Sequence, residues 1–553
     1  MKKTLHYFLA ITTIVLCVTS CSRNASKLTK YIPKDAAVVA GINAKNITEK
    51  LATGNMNLDT LAVLLSKNDG DSTGDMNKWD EIKSSGLDLS AEFYAFGKSS
   101  NSIMDGRSST MGIVASLKDV AAFEKYLKTK KPTGEIKNGG DYSYLALGDD
   151  FIAGWKNDVA ILVNVHGGKA APGVYSTGEG TLSQQLLTKL FAQGESESVE
   201  SIEAFKNVEK EQGDMFFYTN ASAGQGSFSA LSLIKVGDLV ADAYTTGTVN
   251  FGNGNVTATF TGYSGKALGD ILEKYPSHEI DITSVDRYPL QVNGFMAMSF
   301  DPKIIGEIVK FAGAEEIASQ MLANYNLSLD DILKAFKGDI TVAATITNET
   351  EPTIPGQPMA KPPVKYVVNA AIGEKAAYDK VITALNAKGV QLPKNGVLEL
   401  PIMGHMAVSI TDKNLVVASD LDVLQKYLNT GVQKGSLPSD IKEKITGKSF
   451  AMYVDVDEML KAASQHGFNA DGAEAAQDTA KQIVRDFMAT ADKVKGRIAK
   501  GNAELRLFNE KQNSLVTIVN EAFTKKKQHR SFMGSQSMMM EPPPVVDSAV
   551  AKP

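Results

Sequence analysis

Val114-Ala-Ser-Leu-Lys-Asp-Val-Ala-Ala-Phe-Glu-Lys-Tyr-Leu127 returns, at a spacing near 255 residues, as Asn369-Ala-Ala-Ile-Gly-Glu-Lys-Ala-Ala-Tyr-Asp-Lys-Val-Ile382. Ala115, Ala121, Ala122 and Lys125 recur identically as Ala370, Ala376, Ala377 and Lys380. Leu117/Ile372, Asp119/Glu374, Phe123/Tyr378 and Glu124/Asp379 are conservative pairs. Each segment reads as a strand ending in a polar turn, with Asp119 or Glu374 near a helix start, where the peptide dipole favours a carboxylate.

Outward from this pair, other pieces repeat in the same order. Ala37 to Asn43 then Ile47 to Leu51 resembles Phe295 to Phe300 then Ile304 to Val309, strand followed by helix. Phe151 to Val163, turning at Lys156-Asn157-Asp158, matches Ala407 to Ala418, turning at Asp412-Lys413-Asn414. Asn and Asp tolerate the backbone angles of a tight reversal, so both read as hairpins. Gly213 to Tyr218 answers Gly447 to Tyr453, and Val249 to Phe260 answers Ala503 to Val519, both of the last pair with period-two alternation. The expectation is an α+β fold: two tandem copies of an antiparallel-sheet unit, at 28–268 and 284–523, with helices packed on one face. Residues 269–283, polar and containing Pro276, read as the linker. Gly70 to Asp75, the proline-rich Thr350 to Val364 and the basic, Pro- and Met-rich tail 524–553 read as unstructured.

The composition excludes some functions. The chain has 58 basic and 63 acidic residues, and loss of Lys2 and Lys3 with a cleaved signal would leave 56 against 63, about −7. Nucleic acid requires a basic surface, so it is not an expected partner. The two cysteines are Cys17 and Cys21, which leaves nothing for a disulfide or a thiolate metal site further along the chain.

Catalytic signatures are scarce. The six histidines, His6, His166, His278, His405, His466 and His529, include no pair at helical metal-binding spacing. No nucleophile elbow, phosphate-cradling Gly-Lys-Ser/Thr loop or His-Glu-x-x-His sequence occurs, so no catalytic residue is assigned. One constellation does carry metal chemistry. Asp69, Asp71, Thr73, Asp75, Asn77 and Asp80 place oxygen ligands at positions 1, 3, 5, 7, 9 and 12 of a calcium-type loop, with Gly74 at the sharp turn. Thr73 in place of an acid or amide and Asp80 in place of a longer glutamate depart from the usual set. A solvated acidic loop tip explains the same residues without a metal.

The N-terminus reads as a secretory signal. Lys2 and Lys3 precede a short apolar run, Tyr7 to Val18, too short to span a bilayer as a helix. The ending Val18-Thr-Ser-Cys21 resembles the lipobox of bacterial lipoproteins, which implies cleavage after residue 20, lipidation of Cys21 and a short tether at 21–27. Tyr31-Ile-Pro-Lys-Asp-Ala-Ala-Val-Val-Ala-Gly-Ile-Asn43 is similar to the opening of Bacteroidetes lipoproteins. With the two-copy layout, the chain resembles the Bacteroidetes lipoprotein class known as domain of unknown function 4836. The resemblance implies an outer-membrane lipoprotein and supplies no catalytic residues. In that phylum surface export is associated with acids just after the lipidated cysteine. Ser22 to Lys27 holds none, which implies a periplasm-facing position.

Together these readings lead to a non-enzymatic binding or scaffolding module, held to the membrane at Cys21, with an unidentified protein or glycan partner and no required cofactor. Two alternatives have structural signatures. A glycan hydrolase would bring two carboxylates to face each other across a deep cleft. A carrier of an apolar ligand would hold a large apolar cavity under its sheet.

Overall fold

The computed structural model describes residues 26–59, 79–102, 106–148, 151–167, 179–223, 236–347, 364–389, 392, 395–400, 406–429, 437–465 and 483–522. The signal 1–20, Cys21 and the tail 524–553 lie outside them, as do Gly70 to Asp75 and all but the last residue of Thr350 to Val364.

In the first half the strands are β1 (Val38–Ile42), β2 (Phe93–Ser102), β3 (Gly106–Ser116), β4 (Lys137–Asn138), β5 (Ser143–Ala146), β6 (Phe151–Lys156), β7 (Val159–Gly167), β8 (Met215–Asn220), β9 (Tyr244–Phe251) and β10 (Asn255–Tyr263). In the second they are β11 (Gly294–Ser299), β12 (Phe336–Ile346), β13 (Val364–Ile372), β14 (Gly396–Leu400), β15 (Met406–Ile410), β16 (Asn414–Ala418), β17 (Phe450–Asp455), β18 (Val484–Ala491) and β19 (Ile498–Leu507). All nineteen join one sheet, and every pairing among them is antiparallel. Across the sheet the order is β4-β5-β6-β7-β3-β2-β1-β8-β9-β10-β19-β18-β17-β11-β12-β13-β16-β15-β14. The middle pair is therefore β10 and β19, one from each half of the chain.

The helices used below are α1 (Ala44–Ala52), α2 (Val120–Lys130), α3 (Glu179–Ala192), α4 (Glu203–Lys210), α5 (Val236–Leu239), α6 (Lys266–Lys274), α7 (Lys303–Phe311), α8 (Glu315–Ala323), α9 (Leu329–Ala335), α10 (Lys375–Ala387), α11 (Leu421–Asn429), α12 (Ser439–Ile445) and α13 (Val456–Gln465). Local chemistry sets several of their starts. Asn43 caps α1 by accepting from the Asn46 amide at 3.2 Å, and Asp119 caps α2 by accepting from Ala122 at 3.0 Å. Glu374 precedes α10 as expected but makes no side-chain cap.

The outer parts of the sheet are covered on both faces, which corrects the expectation of helices on one face. On what we call the front face, α3 and α4 close a core containing Tyr94, Val114, Ile161, Phe205 and Tyr218. There α11 and α12 close its counterpart around Phe295, Val416, Leu424, Ile441 and Tyr453. On the back face α2 buries Phe123 and Leu127 against Leu145 and Trp155. There α9 and α10 bury Ala335, Tyr378 and Ile382 against Val408 and Ile410. The reason is legible in β6 and β15. Ile152 to Trp155 and Ala407 to Ile410 are buried at consecutive positions, not alternate ones. A strand apolar on both sides needs cover on both sides.

Two further readings change. Ala503 to Val519 is not a strand pair: β19 ends at Leu507, and residues 514–522 are helical. The proposed linker 269–283 begins inside α6. These two helices tie the halves together. Leu515 and Val519 pack on Ile47 and Leu51 of α1, in the first half. In turn α6 lies against α7 in the second half, where Lys274 Nζ meets Glu307 Oε1 at 2.8 Å.

Candidate functional site

The most distinctive open surface among the described residues is the front face at the middle of the sheet. Side chains alternate along a strand, so Thr257, Thr259 and Thr261 of β10 share the front face with Lys500, Asn502 and Glu504 of β19, each opposite its partner. On one side α4 rests on β8 and β9, where Thr246 and Thr248 are buried. On the other side Met488 and Thr490 of β18 are buried beside α12. Between them Thr259 and Asn502, directly opposite each other, are exposed, and so is Lys500. The result is a polar groove floored by two strands, roughly 30 Å long at the usual strand rise.

The charges along this groove are largely paired within the protein. The Arg506 guanidinium holds both oxygens of Asp486, Nε at 2.5 Å and Nη2 at 2.8 Å, and its Nη1 reaches Asp440 on α12. Glu504 accepts from Asn255 Nδ2 at 2.8 Å and from Lys444 Nζ at 2.5 Å. Burial works against the Glu504 charge, but these two donors outweigh it and hold the carboxyl below its ordinary range. At the other end of the floor Tyr244 and Tyr263 are cross-strand partners, and Tyr244 stacks on Tyr218 with ring centroids 5.7 Å apart.

A two-carboxylate arrangement of the hydrolase kind is not what this region presents. Asp455 and Asp486 sit side by side on β17 and β18. Asp486 is held by Arg506, while Asp455 accepts from the Glu458 amide at 3.0 Å at the start of α13. They do not face each other across a cleft. The one cleft we describe, about 370 Å³ and open, is lined by Lys45 and Glu49 of α1, Asp88 and Lys118, and also by the apolar Leu58 and Leu89.

The apolar surface lies instead on the back of the same central strands. Ala40, Phe217, Val249, Ala258, Phe260, Ala503, Phe487, Met452 and Met296 follow one another from β1 to β11, all half-buried. Beside them Val38, Ile42, Met111 and Ile113 are exposed, Met111 to 67%. Ten strands at about 4.8 Å spacing would make this face roughly 45 Å across.

Of the calcium-loop residues, Asp69, Asp71, Thr73, Asp75 and Asn77 lie outside the described residues. Asp80 is described, and it pairs with Lys83 at 2.7 Å. Lys83 also meets Asp59 at 3.2 Å, and Asp59 accepts the Trp79 indole N–H at 2.5 Å. Among the described residues no cluster of three or more His, Cys, Asp or Glu is placed to hold a metal. His166 lies one residue before the end of β7, opposite Ser109, and no described helix is long and apolar enough to cross a membrane. Sequence reasoning missed the groove because no motif marks it. The available signal was the threonine alternation in Val256 to Thr261, which reads as an ordinary strand with one polar face.

No family model matches the chain, and no curated protein matches it. Among solved structures it is similar to one described as "Structure of crystal form III of TP0453", at 7% identity over 46% of this chain and 90% of that chain, with a TM-score of 0.26. It is similar also to "Structure of crystal form IV of TP0453", at 8% identity over 44% of this chain and 83% of that chain, with a TM-score of 0.25.

Proposed function

We propose that this chain is a non-enzymatic envelope lipoprotein, a binding or scaffolding module anchored through Cys21 to the outer membrane and facing the periplasm. The observation that carries the binding reading is the front groove: Thr259 and Asn502 stay open at the centre of a sheet whose neighbouring strands are covered. A surface left open between two covered regions is where a partner has access. Ser26 donates its amide to Glu209 on α4, at 2.9 Å. A five-residue reach from Cys21 would hold this front side within roughly 17 Å of the anchoring membrane.

The groove also bears on the duplicated origin that we infer for the sheet. Apart from the short β4, the strand order reads in matching steps outward from β10 and β19. Tyr218 and Tyr453 fall in corresponding places, each opposite a strand that leads into a helix, β1 into α1 and β11 into α7. Carried through the ladders, that correspondence sets Thr259 against its own counterpart, Asn502. A two-fold relation between like units has this property.

The test replaces Thr259 or Asn502 with a photo-crosslinking side chain in cells, with the exposed Gly148 as control position. Adducts formed at the groove and not at Gly148 support a binding face. Equal labelling at all three positions overturns it. Replacement of Cys21 by Ser should release the protein from the membrane fraction; retention would overturn the anchor. The apolar back face favours a second reading, a carrier of an apolar ligand. That reading predicts that Met111→Asp with Ile113→Asp abolishes displacement of a fluorescent fatty acid.

A further inference from the structure

Asp455, the last residue of β17, stands directly opposite Asp486 on β18, with both side chains on the front face. Like charges in that relation destabilise a sheet unless a cation separates them or one of them is neutral. Among the described residues, the cations beside this corner serve other carboxylates. Arg506 of β19 holds Asp486 and Asp440. Arg485 of β18 lies 3.2 Å from Asp486 and 2.5 Å from Glu510. Lys461 of α13 lies 2.7 Å from Asp457 and 3.0 Å from Glu458. Lys444 of α12 holds Glu504. Asp455 is left half-buried among Asp486, Asp457 and Glu458, with the Glu458 amide as its donor.

We propose that Asp455 takes up a proton in mild acid and that this tightens the corner where β17 passes into α13. Protonation removes the repulsion between facing strands, and the carbonyl oxygen of the neutral acid still accepts the Glu458 N–H, so the helix keeps its cap. Burial first, then the neighbouring carboxylates, push the Asp455 carboxyl above its ordinary value of 3.8. A group with a raised folded value binds its proton more firmly folded than unfolded. The stabilisation therefore sets in as pH falls through the raised value and is complete below the ordinary one. It is absent at neutral pH.

Hydrogen exchange by mass spectrometry on the whole chain, near pH 4 and near pH 7.5 with rates corrected for intrinsic exchange, tests this. Amides 457–460 should exchange at least about threefold more slowly in acid. In Asp455→Asn, which keeps a good cap without the charge, they should be protected at both pH values and lose the response. Glu458→Gln removes one neighbouring charge and should shift the response to lower pH, an outcome that stays readable even where Asp455→Asn misfolds. Wild-type amides that exchange alike at both pH values would overturn the proposal. So would a response that survives in Asp455→Asn.

Discussion

Single residues show what a buried hydroxyl without a partner does to stability. Tyr378 is fully buried against Phe336, edge-on with ring centroids 5.8 Å apart, and its hydroxyl finds no hydrogen-bond partner among the described residues. Burial pushes the phenol up to about 12, so it stays neutral at any working pH. The matching residue in the earlier segment is Phe123, buried in the equivalent back-face core with no oxygen to satisfy. An unpartnered buried hydroxyl costs its desolvation and returns nothing. Tyr378→Phe should therefore be neutral or stabilise by up to about 1 kcal/mol in urea unfolding. Tyr288→Phe is the contrast, because its hydroxyl donates to the Lys365 carbonyl at 2.7 Å. It should cost about 1 kcal/mol, and equal effects at the two sites would refute the distinction. The Phe123/Tyr378 pair was legible in the sequence. Which of the two hydroxyls would find a partner was not, since Lys365 lies 77 residues from Tyr288.

Elements in this sheet fit together by setting phenylalanine opposite glycine. Phe96 faces Gly112 and Phe216 faces Gly41 on the front, while Phe217 faces Gly247 and Phe260 faces Gly501 on the back. Each ring lies over the space that a side chain would fill. A Cβ at Gly501 would come within 2.7 Å of the Phe260 ring and 2.8 Å of the Thr490 carbonyl oxygen, which belongs to the backbone and cannot swing away. Gly501→Ala should thus destabilise by about 1–3 kcal/mol, through overpacking at the β10–β19 junction. Gly148→Ala meets nothing within 4 Å among the described residues and should stay within about 0.5 kcal/mol of wild type. Chemical denaturation midpoints decide it, and similar losses at both glycines would defeat the packing argument. Hairpins were the elements best read in advance: Asn157 turns between β6 and β7 with φ of 52°, the left-handed backbone that asparagine tolerates. The stretch after Leu507 was misread because Ser514 to Val519 is rich in β-branched residues that suit a strand. Its helix is decided by Leu515 and Val519, four apart, meeting Ile47 and Leu51 from the far end of the chain. Local propensity yields to such packing.

The whole molecule follows from that long-range contact. Two tandem units joined by a linker would unfold separately, each with its own core. Here β10 and β19 form a ladder from Asn255–Arg506 to Tyr263–Ile498. Helix 514–522 rests on α1 of the first half, and α6 rests on α7 of the second. Ion pairs cross the same seam, Arg497 to Asp270 at 2.9 Å and Lys493 to Glu279 at 2.7 Å, though both are exposed and contribute little. The halves thus share the central ladder, and helix 514–522 gives α1 its apolar cover, so the second half cannot unfold without stripping that cover from the first. Calorimetry should show one cooperative transition for the whole sheet. Leu515→Ala opens a cavity beside Ile47 and should cost about 2–4 kcal/mol. Because the seam is shared, that loss should move the single transition downward intact. Two resolved transitions in the wild type, or a Leu515→Ala variant in which only part of the heat moves, would mean that the halves fold alone and the exchanged helices are ornament on independent units.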